Sequence, residues 1–416
     1  LDLSGPLNHP AQWHYALTGD LKNLVITSDA FGDPVTVNSG SFDLISETKP
    51  NTAQNRIRLN TMELLWGENH LTLVGAIILS PKDTLLDLTL TADALDWNQV
   101  NHIVGYAEAK SKASNSRPAK IALRGTLNVQ ADNFNYETFT VNPLKADLSF
   151  MPDKVVITIN EADVCSISFQ GRLNVNSQTL EISIVPTAVN QKLGPAVSCV
   201  TGQKQLATGT FNLNGQLLSN SKPDDFLQSL SGEVVLSAET GRINRFGLLA
   251  KILSILNVTE IYRGEIPDLT GKGFAYHGLK ISANLEGSKL IMQECAIDGV
   301  SMGIACEGHI DLSGKKVNLI ILVAPFKTVD RIVKVLPLLK HVLGGKLISI
   351  PFRAKGDLTD PEVIPLPPTA IGAGVLGILE RTLKLPITIM QPVLSFGKNK
   401  KNDQNLDENS DPSGLP

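Results

Sequence analysis

The chain has 416 residues, 42% of them apolar and 19% charged, with a formal net charge of −4. That composition is one that folds, and so weak a charge argues against a nucleic-acid protein, which needs a basic face. No run reaches the roughly 18–20 charge-free apolar residues of a membrane span; the nearest, Val363–Leu379, is broken by three prolines and three glycines. The first residue is Leu1, so the natural N-terminus, with any leader or anchor, is expected upstream of it.

From Leu3 to Val235 the dominant signal is alternation. "SISFQGRLNVNSQTLEISIV" sets Ile167, Phe169, Leu173, Val175, Leu180, Ile182 and Ile184 against Ser168, Gln170, Asn174, Asn176, Glu181 and Ser183. A period of two gives a strand with one apolar and one polar face. "LLDLTLTA", "KVVITINEA" and "GTFNLNGQL" read the same way, and turn residues such as Pro152-Asp153 and Asn176-Ser177 fall between them. Strands at this spacing predict an antiparallel meander with one wet face.

A glycine recurs inside these strands, at Gly75, Gly125, Gly171 and Gly215, at intervals of 50, 46 and 44 residues. Gly308 and Gly356 continue the series 48 apart, with looser versions at Gly40 and Gly287. A fixed period of this size marks a repeat architecture. A mid-strand glycine marks a bulge or bend, and one repeated in register curls the sheet. The expected fold is therefore mainly β: an elongated, curled antiparallel repeat sheet, a trough, with a few C-terminal amphipathic helices. In this first part helices fit only at Asp96–Lys112 and Pro223–Leu230, too little to cover the apolar face. Either the sheet closes on itself as a sandwich, or its inside stays an apolar trough suited to acyl chains. In the trough reading the lining residues are Leu127, Val129, Phe169, Leu173, Val175, Ile182, Ile184, Leu213 and Leu217.

After about residue 230 the pattern changes. "NRFGLLAKILSILNVTEIY" places Phe246, Leu249, Ile252, Leu253 and Leu256 on one helical stripe that Leu248 and Ile255 widen, which predicts an almost wholly buried helix. "FKTVDRIVKVLPLLKHVLGG" predicts a basic amphipathic helix. Its Lys327, Arg331, Lys334 and Lys340 suit either a membrane surface or a solvated outer face. "PTAIGAGVLGILERTLKLP" reads as a last, glycine-rich helix. The three parts are 1–230, a repetitive sheet body; 231–396, strands with amphipathic helices; and 397–416, a polar tail without periodicity.

The four cysteines, Cys165, Cys199, Cys295 and Cys306, form no C-x-x-C pair and read first as small buried residues. In an oxidising compartment, Cys295 with Cys306 is the expected pair. The G-x-G-x-x-G match at Gly372–Gly377 follows a proline-rich segment, not a strand, and reads as small residues for close packing. No nucleophile elbow, HExxH or P-loop is present, so no enzyme, cofactor or metal is expected.

Taken in order, "FGLLAKILSILN", "IPDLTGKGFAYHGLKISANLEGSKLIMQECAIDG", "GHIDLSGKKVNLIILVAPFKTVDRIVKVLPLLKHVLGG" and "AKGDLTDPEVIPLP" resemble the C-terminal region of the AsmA-like proteins of Gram-negative envelopes. The closest resemblance is to the YhdP-type branch. It covers roughly Leu230–Pro392; the earlier repeats resemble the AsmA/TamB body in pattern only. The resemblance implies a periplasmic protein, anchored in the inner membrane through a segment missing from this chain. It implies a bridge-like lipid-transfer protein that guides phospholipids along an apolar β-groove between inner and outer membranes. The implied partners are phospholipids, a membrane at one or both ends, and envelope proteins. The alternative, from the TamB branch, is a periplasmic scaffold or chaperone for outer-membrane protein assembly.

Overall fold

The computed structural model describes residues 2–4, 14–49, 52–113, 122–222, 225–244, 247–260, 273–300, 302–325, 349–367, 369, 372 and 374–378. Its first half contains β1 (Asp2–Ser4), β2 (His14–Ile26), β3 (Val35–Lys49), β4 (Thr52–Trp66), β5 (Asn69–Leu79), β6 (Asp83–Asp96) and α1 (Trp97–Ala113). Then come β7 (Ala122–Tyr136), β8 (Phe139–Val141), β9 (Leu144–Phe150), β10 (Lys154–Val164), β11 (Ile167–Asn176) and β12 (Leu180–Lys192). After α2 (Leu193–Thr201) follow β13 (Thr210–Ser221), α3 (Phe226–Ser229), β14 (Ser231–Ile243) and α4 (Gly247–Glu260). The chain continues with β15 (Phe274–Glu286), β16 (Lys289–Gly299), β17 (Met302–Asp311), β18 (Lys316–Pro325), β19 (Ile350–Asp357) and β20 (Glu362–Pro365).

These twenty strands make one sheet. Nearly every strand pairs antiparallel with its successor, and the sheet runs across residue 230 without a break. β1 and β20 do not pair with each other, so the sheet is not closed into a barrel. The mainly β, curled repeat sheet expected from the alternation is the observed fold.

One pairing departs from the meander. β6 and β7 are parallel, with Leu88 opposite Leu127 and Leu90 opposite Val129. A parallel neighbour requires the chain to return to the starting rim before pairing, which needs a dozen or more residues. Residues 97–121, which include α1, provide that length.

The sheet has two unlike rims. On one, β6 runs into α1, β12 into α2 and β14 into α4. The opposite rim carries turns such as 151–153, 177–179, 287–288 and 312–315, and the four-residue α3. Asp311 organises one of these turns. It accepts from the Gly314 N–H and the Ser313 hydroxyl, both at 3.0 Å, and these bonds hold its carboxyl below the ordinary 3.8. A depressed folded-state pKa contributes stability above the unfolded value and loses it as pH falls through the folded value. Asp311→Asn should therefore lower the neutral plateau and converge with the parent in acid, which flattens the acid limb. Denaturant midpoints measured from neutral into acid check this.

The cysteines correct the first reading. All four are bridged: Cys165 to Cys199 and Cys295 to Cys306. Cys295–Cys306 links adjacent strands beside the β16–β17 bulge. Cys165–Cys199 joins the β10–β11 turn to α2, residues 34 apart in sequence. Strand placement brings the Cα atoms to 5.4 and 5.0 Å, inside the span a disulfide bridges. Position along the chain pointed to Cys295 with Cys306 but gave no sign of Cys165 with Cys199. Cys165→Ser with Cys199→Ser should cost about 3–4 kcal/mol, the loop-closure value for this separation, read as a lower urea midpoint that excess reductant, which opens both bridges, lowers further in the parent.

The N-terminal helix expectations correspond to α1 and, in shortened form, α3. α4 corresponds to the expected buried helix, but only one face is buried. Leu248, Leu249 and Ile252 are inside while Ala250 and Ser254 are exposed, because the helix lies on one sheet face with solvent beyond. The basic helix with Lys327, Arg331, Lys334 and Lys340, and the tail 397–416, lie outside the described residues. Of the last helix, 374–378 is described. Its Val375 and Ile378 pack on Leu322 and on Ala296, Ala305 and Ala324, three small residues that admit a close helix. The G-x-G-x-x-G match therefore sits in a packing contact.

Candidate functional site

Directly opposed residues on paired strands share a sheet face. Following the register from β6 to β12 gives the cross-strand row Leu88, Leu127, Leu148, Ile157, Leu173, Ile182. The next row holds Leu90, Val129, Ala146, Ile159, Gly171, Ile184 and Leu217. On the other side run Leu86, Gly125, Phe150, Val155, Val175 and Leu180. Three adjacent rows are thus almost wholly aliphatic. The opposite face of the same strands carries Thr89, Asn128, Asp147, Thr158, Arg172 and Ser183 in one row. A one-residue slip anywhere would exchange the two sets, so the alternation itself holds the register.

All nine residues proposed as groove lining fall on this apolar face. Leu127, Val129, Leu173, Val175, Ile182, Ile184 and Leu217 stand in the rows above. Phe169 precedes Gly171 by two positions on β11, and Leu213 precedes Leu217 by four on β13. Val129 and Leu213 are buried, at 9% and 7% exposure, whereas the other seven remain partly exposed. Leu213 is covered by α2, whose Leu193 and Ala196 pack with Phe211 and Ala188. Val129 belongs to a cluster with Trp66, Leu71, Ala92, Leu95 and Ala131 next to the helical rim. Trp97 at the start of α1 closes that end, 6.5 Å from the Phe134 ring and 5.8 Å from Tyr136.

The face is therefore covered unevenly. Along the helical rim, side chains are packed in a cluster of strand residues beside Trp97 at the start of α1, and under α2. Toward the turn rim, Phe150, Val155, Leu173, Val175, Leu180 and Ile182 are partly exposed; the four-residue α3 meets this face beside them, at the buried Ser219 opposite Ile182. At the far end the same face passes under α4.

The recurrent glycines belong to this site, and the alternation did not reveal how. Gly75, Gly125, Gly171, Gly215, Gly308 and Gly356 all lie on the apolar face, by their opposition to Leu88, Leu86, Ile184, Val234, Leu319 and Val317. A Cβ at Gly125, where φ is +102°, would sit 1.9 Å from the Leu86 carbonyl oxygen. One at Gly75, where φ is +135°, would sit 2.0 Å from the Asp87 oxygen. These two flank β6 on both sides, and the backbone of β6 closes over them where a side chain would stand.

Among the described residues no group of His, Cys, Asp and Glu could hold a metal, and no helix is long and apolar enough to cross a membrane. No family model matches the chain, and neither a curated protein nor a solved structure gives a significant match.

Proposed function

We propose that this chain is a segment of a bridge-like lipid-transfer protein, and that its apolar face guides phospholipid acyl chains along the sheet while headgroups stay in water at the turn rim. The observation that carries the reading is the continuous aliphatic face of β6–β12, left half-exposed along one rim. A sandwich core would bury such residues almost completely. A monomeric soluble protein rarely exposes contiguous apolar surface on this scale without a ligand for it. Each methylene kept from water is worth about 0.8 kcal/mol, so a tail gains by lying there. The face needs no specific polar partner, which suits passive guidance of a class of lipids.

The two disulfides support an oxidising compartment, as the periplasmic placement implied by the AsmA-like resemblance requires. The test is native mass spectrometry with lipid extraction on the chain purified from a bacterial envelope in mild detergent. Several phospholipids bound per chain are expected. A stable, lipid-free chain would overturn the reading. The scaffold reading draws on the sheet edges, where β1 and β20 each have a partner on one side only. Crosslinks from β20 to an outer-membrane protein, with no lipid bound, would favour it.

A further inference from the structure

We infer that α4 is a plug: it occupies the C-terminal end of the same groove in the place of acyl chains and must withdraw before lipid reaches that end. This rests on the groove reading above and concerns how the groove is regulated. The register carries the apolar face onward from Leu213 to Leu236, Ile281 and Cys295, and then from Ile304 to Val323 and Ile350. In β6–β12 most of that face is half-exposed. In β17–β19 it is sealed: Ile304, Val317, Leu319, Ile321, Val323, Phe352 and Ala354 are 0–6% exposed. What seals them is α4, whose Leu248, Leu249 and Ile252 join the same cluster. The helix thus meets the sheet with branched aliphatic side chains, as a lipid tail would.

α4 is held at its start and through Lys251, its fifth residue. It leaves β14 on the helical rim. On the turn rim its Lys251 Nζ lies 2.5 Å from Asp360 Oδ1 and donates to the Pro361 carbonyl at 2.8 Å, in the β19–β20 connection. The Lys251 and Asp360 side chains are 40% and 81% exposed, so this latch is in water and releasable. Exposed pairs of this kind are weak. Among the described residues the plug's hold therefore rests mainly on four aliphatic side chains, Leu248, Leu249, Ile252 and Ile255, the interaction an acyl chain competes with directly.

The test combines two readouts on the full chain. Val317, 4% exposed beneath α4, is replaced by Cys as a thiol-labelling probe. Phospholipid occupancy is counted by native mass spectrometry after incubation with vesicles of phosphatidylethanolamine and phosphatidylglycerol. Ile252→Asp displaces the plug. Lys251→Cys with Asp360→Cys, joined by a short bifunctional thiol reagent, locks it. We expect Ile252→Asp to raise the Val317→Cys labelling rate about ten-fold or more, since a carboxylate there resists burial, and to raise lipid bound per chain. The locked form should label slowly and bind fewer lipids than the unlinked parent. Faster labelling with unchanged lipid number overturns the plug. Faster labelling with no lipid on any form overturns the groove reading itself, leaving α4 as ordinary core. If Ile252→Asp fails to fold, the locked and unlinked forms decide alone: equal occupancy and equal vesicle-to-vesicle transfer overturn the proposal.

Discussion

Leu173→Asp should abolish most lipid binding while leaving the elongated sheet folded. Leu173 stands at the centre of the middle aliphatic row, between Ile157 and Ile182, and is only partly buried. A carboxylate there stays hydrated in the lipid-free chain, so the cost to folding is ordinary, about 1 kcal/mol. In the loaded chain the same carboxylate faces hydrocarbon, which costs about 3 kcal/mol for Asp at depth in a membrane, or roughly a hundred-fold. Ile182→Asp, directly opposite, should act alike. Thr158→Asp, on the polar face, should do nothing. Lipid count per chain and the strand circular dichroism signal are the two measurements. If Leu173→Asp unfolds the sheet, the residue is core and the open groove is wrong.

Gly125→Ala should destabilise the chain more than any aliphatic truncation on the groove face, by about 4 kcal/mol or more. Two costs combine. A φ of +102° is strained for an L-residue, and the added methyl meets backbone rather than a movable side chain, 1.9 Å from the Leu86 oxygen. β6 and β7 cannot separate to admit it without losing their ladder. Gly105→Ala is the control. That glycine lies inside α1 with nothing within 4 Å of an added Cβ, so the change should gain about 0.5–1 kcal/mol from helix propensity. Urea midpoints of both variants against the parent test the argument. A small loss at Gly125 would mean the close approach of the β6 backbone is not what makes glycine necessary there.

These two positions also show what was legible along the chain and what was not. Leu173 could be assigned to the apolar face from its own neighbours, because a strand's period of two is written locally. Gly125 could be recognised as a recurring bend signal. That Leu86 is the residue closing over it could not, because that depends on β7 lying parallel to β6. Antiparallel succession was the natural reading of so many short turns, and the length of the segment 97–121 was the one clue against it. The cysteines teach the same lesson. Cys295 and Cys306 flank one hairpin and were a natural pair, whereas Cys165 and Cys199 meet only because α2 folds back over the rim.

The sequence by itself determined the strands, the one-sided polarity of the sheet and the placing of the nine residues on its apolar face, since each depends on neighbours one to four positions away; it held no sign of α2. Only the tertiary structure decided which rim is covered, that all four cysteines pair, and that α4 packs on the apolar face of the sheet. Those outcomes depend on contacts between segments tens to more than a hundred residues apart, such as Lys251 with Asp360, for which a local pattern holds no signal.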